Sequence, residues 1–325
     1  MTTTASATIV VVARERFSVA MLSLQNILDS THAPFELIYV DGGSPPATRD
    51  ALQAAARQYG FRLLRDEGYL SPNEARSRAI PLVDTRYVVF VDNDLLVSAG
   101  WLDRLLECAE QTGAALVGPL YLQREAGVDA IHMAGGDVRL EQRNGGQYLL
   151  EKHALSGAPI AAGAELQRVP TGLVEFHCIL ARTEDLLASG GLDQHLLSTG
   201  EQLDLCLAIR AAGGAIYLEP SVSVTYLALD SFAWSDLPYF FLRWSDCWTK
   251  SSLEHLRDKW SLSKDDPYLH EHRVWIANYR VQALVRWRYR LRRVLGESRA
   301  VTLERRLEDG LAAWLERRYH AGEVG

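Results

Sequence analysis

The chain has 325 residues, with 34 Lys and Arg against 41 Asp and Glu, for a formal charge of −7. That balance excludes nucleic-acid binding by bulk electrostatics, and 48% apolar content is ample for one large buried core. The four cysteines, Cys108, Cys178, Cys206 and Cys247, show no CxxC spacing, which argues against a zinc site or disulfide framework and fits reduced thiols in a cytosol.

The N-terminal MTTTASATIVVVA lacks the basic region and long apolar run of a signal peptide. No run of about 18 apolar residues follows, so the chain reads as soluble and cytoplasmic. ATIVVVA (7–13) is a β-branched strand and VAMLSLQNILDS (19–30) has helical apolar spacing. FELIYVDGG (35–43) is a second strand, ending at Asp41 and a Gly pair, and TRDALQAAARQYG (48–60) an Ala-rich helix closed by Gly. FRLLRDEG (61–68) is a third strand. SPNEARSRAIPLV (71–83) is a helix with Ser71 as N-cap and Pro72 at its first position. RYVVFVDND closes a fourth strand, and ALVGPLYL (115–122) follows as another. Residues 123–168 are Gly-rich and read as loop and irregular β. VEFHCILA (174–181) is a strand, TGEQLDLCLAIRAAGG (199–214) an amphipathic helix, and AIYLEP a strand closed by Pro220. From Leu253 onward the chain is helical and Arg-rich. Strands alternating with helices imply right-handed βαβ units and a mainly parallel sheet, whose ligands bind beyond the carboxyl ends of the strands. Asp41 and the Asp92–Asp94 pair both fall at such ends.

In FVDNDLLV the carboxylates of Asp92 and Asp94 stand two residues apart, so an extended segment projects both to one side. Unpaired, they repel. A divalent cation with a preference for hard oxygens, Mn²⁺ or Mg²⁺, removes that cost and binds a diphosphate on its open face. The alternative is a solvated acidic turn with Asn93 at its tip.

The order VVVARER, YVDGGSPP, NEARSRAI, VFVDND and GGLDQHLLSTGEQLDLCLAIRAAGG resembles glycosyltransferase family 2 with the Rossmann-like GT-A fold, over roughly residues 7–226. The resemblance implies an α/β catalytic domain over 1–230, with a nucleotide-sugar half of about 1–122 and an acceptor half of about 123–230. Residues 231–325 then form an aromatic- and Arg-rich helical extension. It implies an inverting transferase that uses a nucleoside-diphosphate sugar, UDP-type most commonly, and a hydroxyl acceptor (a glycan, a lipid-linked molecule or a small molecule). Its implied nucleotide-sugar set is Ala13 against the nucleotide ring, Asp41 on the base, Arg76 on the sugar or diphosphate, and Asp92 with Asn93. Asp94 and Asp92 are the implied metal ligands.

Two positions depart from the family pattern. Where the general base commonly stands this chain has Gln202, and an amide accepts no proton at neutral pH. Glu201 and Asp204, three apart on one helix face, remain as the catalytic candidates, Glu201 as base. Where many relatives place a third metal ligand, a His, this chain has Tyr226. His177 in VEFHC and His255 in SLEHL are candidates for that role, each also readable as a structural histidine, and His132 in IHMAGG is a further one. The aromatics Trp234, Tyr239, Phe240, Phe241, Trp244 and Trp248 suit either core packing or a sugar platform. Residues 272–296 carry seven arginines and no acid. They read either as a helix packed on the chain's own acidic surface or as a peripheral contact with the anionic inner face of the membrane. Two rivals stand beside the transferase. A nucleotidyltransferase would want a Gly-rich loop after the first strand, where VVVARERFS has no glycine. A binding module that has lost its base would explain Gln202.

Overall fold

The computed structural model describes residues 5–125, 128–163, 165–227, 232–282 and 291–320. Its centre is a sheet containing β1 (Ala7–Val12), β2 (Phe35–Gly42), β3 (Arg62–Asp66), β4 (Tyr87–Asp92), β6 (Leu116–Glu125), β10 (Val169–Pro170), β11 (Cys178–Arg182) and β12 (Ile216–Tyr226). Their order across the sheet is β10-β12-β6-β11-β4-β1-β2-β3, with β5 (Leu95–Val97) on β12 and β7 (Val128–Met133) on β6. All six residues of β1 and of β4 are buried, as expected of strands covered on both faces. The covering helices of the first half are α1 (Ala20–Ser30), α2 (Pro46–Tyr59), α3 (Pro72–Ala79) and α4 (Trp101–Thr112). Parallel pairing sets Val12 level with Val40 and with Asp92. Ala13, Asp41 and Asp92 therefore emerge along one edge.

The sheet is mainly parallel, as expected, with β11 running antiparallel to both β4 and β6. Three other expectations from the sequence are corrected. Regular pairing of VEFHCILA begins only at Cys178. Upstream, the Tyr121 hydroxyl takes the place of a strand neighbour, accepting from the Glu175 N–H at 3.0 Å. Pro220 does not close the last strand: β12 runs on to Tyr226 through a register shift between Glu219 and Ser223, and a bulge is where a strand tolerates a residue without an N–H. The Gly-rich 123–168 stretch is more ordered than its composition suggests, with β7 and a hairpin of β8 (Gly136–Arg143) and β9 (Gly146–His153).

Two short helices follow β11 in the second half, α5 (Thr183–Ala188) and α6 (Glu201–Ala211). Then come α7 (Leu237–Arg243), α8 (Asp246–Lys259), α9 (Pro267–Gln282) and α10 (Glu297–His320). Phe240, Phe241, Leu242, Trp244, Trp248, Ile276 and Leu315 make a second hydrophobic cluster, while Leu256 and Leu262 join the main core. Asp236 fastens this layer to the loop after β1 by accepting from the N–H groups of Phe17 and Ser18, at 2.8 and 3.0 Å. No described helix is long and apolar enough to cross a membrane.

Candidate active site

A cavity of about 420 Å³ opens beside the carboxyl end of β4. Its floor holds Asp92, Arg14, Arg76, Phe176 and His177; Glu201, Gln202 and Thr199 come from the start of α6; Arg243, Trp244, His272, Trp275 and Tyr279 come from α7, α9 and the turn between α7 and α8.

Arg76 reaches this floor because α3 is anchored at its start. Ser71 and Glu74 cap each other reciprocally, with Pro72 in the first turn. The Arg76 guanidinium donates to Asp92 Oδ1 at 2.7 Å and to Asn73 Oδ1 at 3.0 Å, and lies 4.0 Å from the centre of the Phe176 ring. The second oxygen of Asp92 faces His177 Nδ1 at 3.4 Å and Arg14 Nε at 3.9 Å. Burial opposes ionisation of Asp92, yet Arg76 and His177 outweigh it and hold the carboxyl below its ordinary value.

The partner acid behaves differently. The strand ends at Asp92, so Asn93 and Asp94 belong to the turn before β5, and the two carboxylates meet different cations. Asp94 is fully buried 3.7 Å from Arg16 Nε, with no hydrogen-bond partner on either carboxylate oxygen. Burial pushes its pKa up to about 7 against the pull of Arg16 and Arg14. Two orphaned hard oxygens beside Asp92 are the donor chemistry a divalent cation takes. Asp92 lines the cavity and Asp94 does not. Asn93 locks the loop beneath, its amide donating to the Arg16 carbonyl at 2.9 Å.

Asp41 and Ala13 lie off the cavity wall. Asp41 accepts from the Ser44 N–H (3.1 Å), the Ser44 hydroxyl (2.8 Å) and Arg65 Nη1 (2.7 Å). Arg65 is its registered neighbour on β3. Ala13 packs with Phe17 and Tyr239, and its carbonyl accepts from the Tyr239 hydroxyl at 3.2 Å.

At the opposite wall, α6 begins at Gly200, whose φ of 87° favours glycine and where an added Cβ would come within 3.2 Å of Leu256. This start directs Glu201 into the cavity, where Oε1 accepts from Arg243 Nη2 at 2.7 Å. Asp204, one turn later, lies outside the cavity. It accepts from Lys259 at 2.8 Å and Trp260 Nε1 at 2.9 Å, tying α6 to the end of α8, and burial raises its pKa. His255 is also elsewhere, 2.8 Å from Asp193. His177, by contrast, sits against Asp92.

Sequence reasoning missed Arg14, Glu15, Glu175 and Arg243. Glu15 is fully buried under the helical layer, accepting from Trp244 Nε1 (2.9 Å), the Tyr279 hydroxyl (3.0 Å) and the Tyr226 hydroxyl. Burial opposes its ionisation, but Arg14 and Tyr226 prevail and its pKa is lowered. Tyr226 is thus engaged with Glu15 beside the His177 ring, 5.2 Å away. The charged RER directly after an apolar strand was the available signal for Arg14 and Glu15. Glu175 and His177, spaced by two in VEFHC, were the signal for the floor. Of the aromatics, Trp244 joins the cavity wall, Tyr239, Phe240, Phe241 and Trp248 are buried, and Trp234 is exposed.

Residues 8–162 match the family model described as Glycosyl transferase family 2. The chain is 24% identical over 203 residues to the pre-mycofactocin glycosyltransferase of two Mycobacterium tuberculosis strains, an overlap of 62% of this chain and 39% of those proteins. It thus spans well under half the length of the curated relatives it matches. Among solved structures, GalNAc-T7 with UDP, GalNAc and Mn²⁺ aligns at a TM-score of 0.55 with 15% identity, covering 83% of this chain and 57% of that one. The mannosyltransferase PcManGT from Pyrobaculum calidifontis, in complex with GDP-Man and Mn²⁺, aligns at 0.53 with 15% identity, covering 99% and 84%. The expected fold class is therefore present, an α/β GT-A fold with C-terminal helices. The likeness to glycosyl transferase family 2 thus lies in residues 8–162, and the solved structures share the fold.

Proposed function

We propose that this chain transfers a sugar from a nucleoside-diphosphate sugar, UDP-type favoured, to an acceptor hydroxyl with inversion, using Mn²⁺ or Mg²⁺. The observation that carries the reading is one cavity at the carboxyl edge of the sheet that gathers Asp92, Arg14, Arg76 and Glu201 under an aromatic wall. Asp92 and Asp94 would hold the cation, which when bound supplies charge neutralisation of the leaving diphosphate. Arg76 and Arg14 add fixed positive charge on the same side. The acceptor oxygen attacks C1 of the sugar, the bond from C1 to the phosphate oxygen breaks, and the hydroxyl proton passes to Glu201. With Oε1 held by Arg243, Oε2 is the oxygen that receives it. Trp244, Trp275 and Tyr279 offer apolar faces to a sugar or other ring in the acceptor.

Membrane contact through 272–296 would rest on the ends of that segment. Arg280 is already paired with Asp246 at 3.0 Å, and Trp275 and Tyr279 face the cavity. Arg286, Trp287, Arg288, Tyr289 and Arg290 lie outside the described residues.

A second reading, a nucleotide-sugar binding module without turnover, is favoured by Gln202 together with the Glu201–Arg243 ion pair, which neutralises the candidate base. Release of nucleoside diphosphate from a panel of nucleotide sugars, measured for wild type and Glu201→Gln, separates the two. The transferase reading predicts release by wild type and a fall of about 10²- to 10⁴-fold in the variant. Unchanged release in the variant removes Glu201 from the mechanism. Nucleotide binding with no release by wild type establishes the module.

A further inference from the structure

The cavity holds a second group of metal-ligating side chains, which borders Asp92 through His177. His132 on β7 and Glu175 and His177 ahead of β11 bring one ligand atom each to within 4.8 Å of one another. His132 Nε2 lies 2.9 Å and His177 Nε2 3.6 Å from the same atom, Glu175 Oε2. That oxygen is buried and makes no hydrogen bond, although Glu175 is only 8% exposed. A buried carboxylate oxygen between two imidazole nitrogens is satisfied either by their protonation or by a cation they share.

On the far side of one ring, His132 Nδ1 is hydrogen-bonded to Gln123 Oε1 at 3.1 Å. His177 Nδ1 lies 3.4 Å from Asp92 Oδ2 without a hydrogen bond. The Gln123 acceptor orients the His132 ring with Nε2 toward Glu175, the arrangement that metal-binding histidines adopt. His153 flanks the group, its Nε2 3.8 Å from Glu175 Oε1. A comparable cluster elsewhere, Asp193 with His195 and His255, already has its cation, because Lys259 Nζ lies 2.8 Å from Asp193.

We infer that His132, Glu175 and His177 form a divalent transition-metal site that adjoins the acid pair through His177, takes no ligand from it, and is independent of the transferase reading. Two imidazoles and one carboxylate select Zn²⁺, Co²⁺, Ni²⁺ or Fe²⁺ over Mg²⁺ or Ca²⁺. The three side chains line the cavity, so a fourth position is open to water or to an oxygen of a bound ligand, which is the arrangement of a working site and not of a closed structural one.

Co²⁺ reports the site directly, through the visible absorption that nitrogen ligation produces. Full-length protein, stripped with EDTA and freed of chelator, is titrated with Co²⁺ as wild type, Asp94→Asn, His132→Gln and Glu175→Gln. The inference predicts a band that saturates at one equivalent in wild type and Asp94→Asn, and that Zn²⁺ displaces. It predicts Co²⁺ binding weaker by about 10- to 100-fold in His132→Gln and Glu175→Gln. His132 lies at the half-buried cavity wall, so His132→Gln keeps the fold, as its far-UV circular dichroism checks. The melting temperature supplies a second readout: Zn²⁺ raises it in wild type by mass action and leaves it unmoved in His132→Gln. No saturable band in wild type overturns the inference. So does a band unchanged in His132→Gln, or one lost in Asp94→Asn while His132→Gln retains it.

Discussion

Asp41 and Asp92 end neighbouring tracts of the same sheet, each about 1% exposed and each 2.7 Å from an arginine. What surrounds them differs. Asp41 spends its acceptor capacity within its own turn and on the adjacent strand, through Ser44 and Arg65. Asp92 divides its two oxygens among Arg76, His177 and Arg14, side chains from three separate elements that converge on a cavity. A strand-end carboxylate is therefore no marker of a site by itself. The informative property is whether its partners come from its own loop or from distant parts of the chain.

The largest effect expected along this contrast is at Asp92. Asp92→Asn removes the partner of a buried arginine and should cost about 3–5 kcal/mol in urea denaturation, along with sugar transfer. A loss of transfer with stability intact would make Asp92 purely catalytic, and a small effect on both would collapse the contrast. Asp41→Asn leaves a neutral acceptor in a neighbourhood that is otherwise complete. The expected cost is about 1–3 kcal/mol, and any loss of transfer larger than Asp92→Asn produces would reverse the ranking.

Glu15 gives the comparison a pH axis. Its pKa is lowered from the ordinary 4.5, chiefly by Arg14 and Tyr226 against the opposing effect of burial. A depressed carboxyl contributes stability that is present above its unfolded pKa and lost as pH falls through its folded one. The stability gap between wild type and Glu15→Gln should therefore be full at neutral pH and shrink below about pH 4.5. A gap that is constant from neutral to acid pH would mean that Glu15 is not ionised in the folded chain. The smallest effect belongs to Arg78, whose pairing with Asp66 is exposed. Arg78→Ala should change stability by about 0.2–1 kcal/mol and leave transfer alone.

Much of the first half was legible because its signals are local. The apolar runs of β1 and β4, the Ser71–Pro72 start of α3 and the Gly200 start of α6 are decided by residues within a few positions of one another. The antiparallel insertion of β11 was hidden because a buried strand looks alike in either direction. Pro220 misled, since a bulge supplied the ladder gap it needs. The cavity's far wall was illegible for a different reason. Glu201 meets Arg243, and Glu15 meets Trp244 and Tyr279, across separations of 42, 229 and 264 residues. No periodicity encodes such pairings. The aromatic run around Phe240 announced packing without saying that Trp244, alone of those aromatics, would line the cavity.

The central claim is that the Asp92–Asp94 edge and the cavity beside it receive a nucleotide with a divalent cation. Calorimetric titration of the chain with UDP, dTDP, GDP and CDP, first with Mn²⁺ and then with EDTA, tests it most directly. The account predicts that one nucleotide binds only with the metal and that Asp94→Ala abolishes this binding. Failure of every nucleotide to bind, with or without metal, would contradict it and leave the two acids as a buried turn held by Arg16 and Arg76.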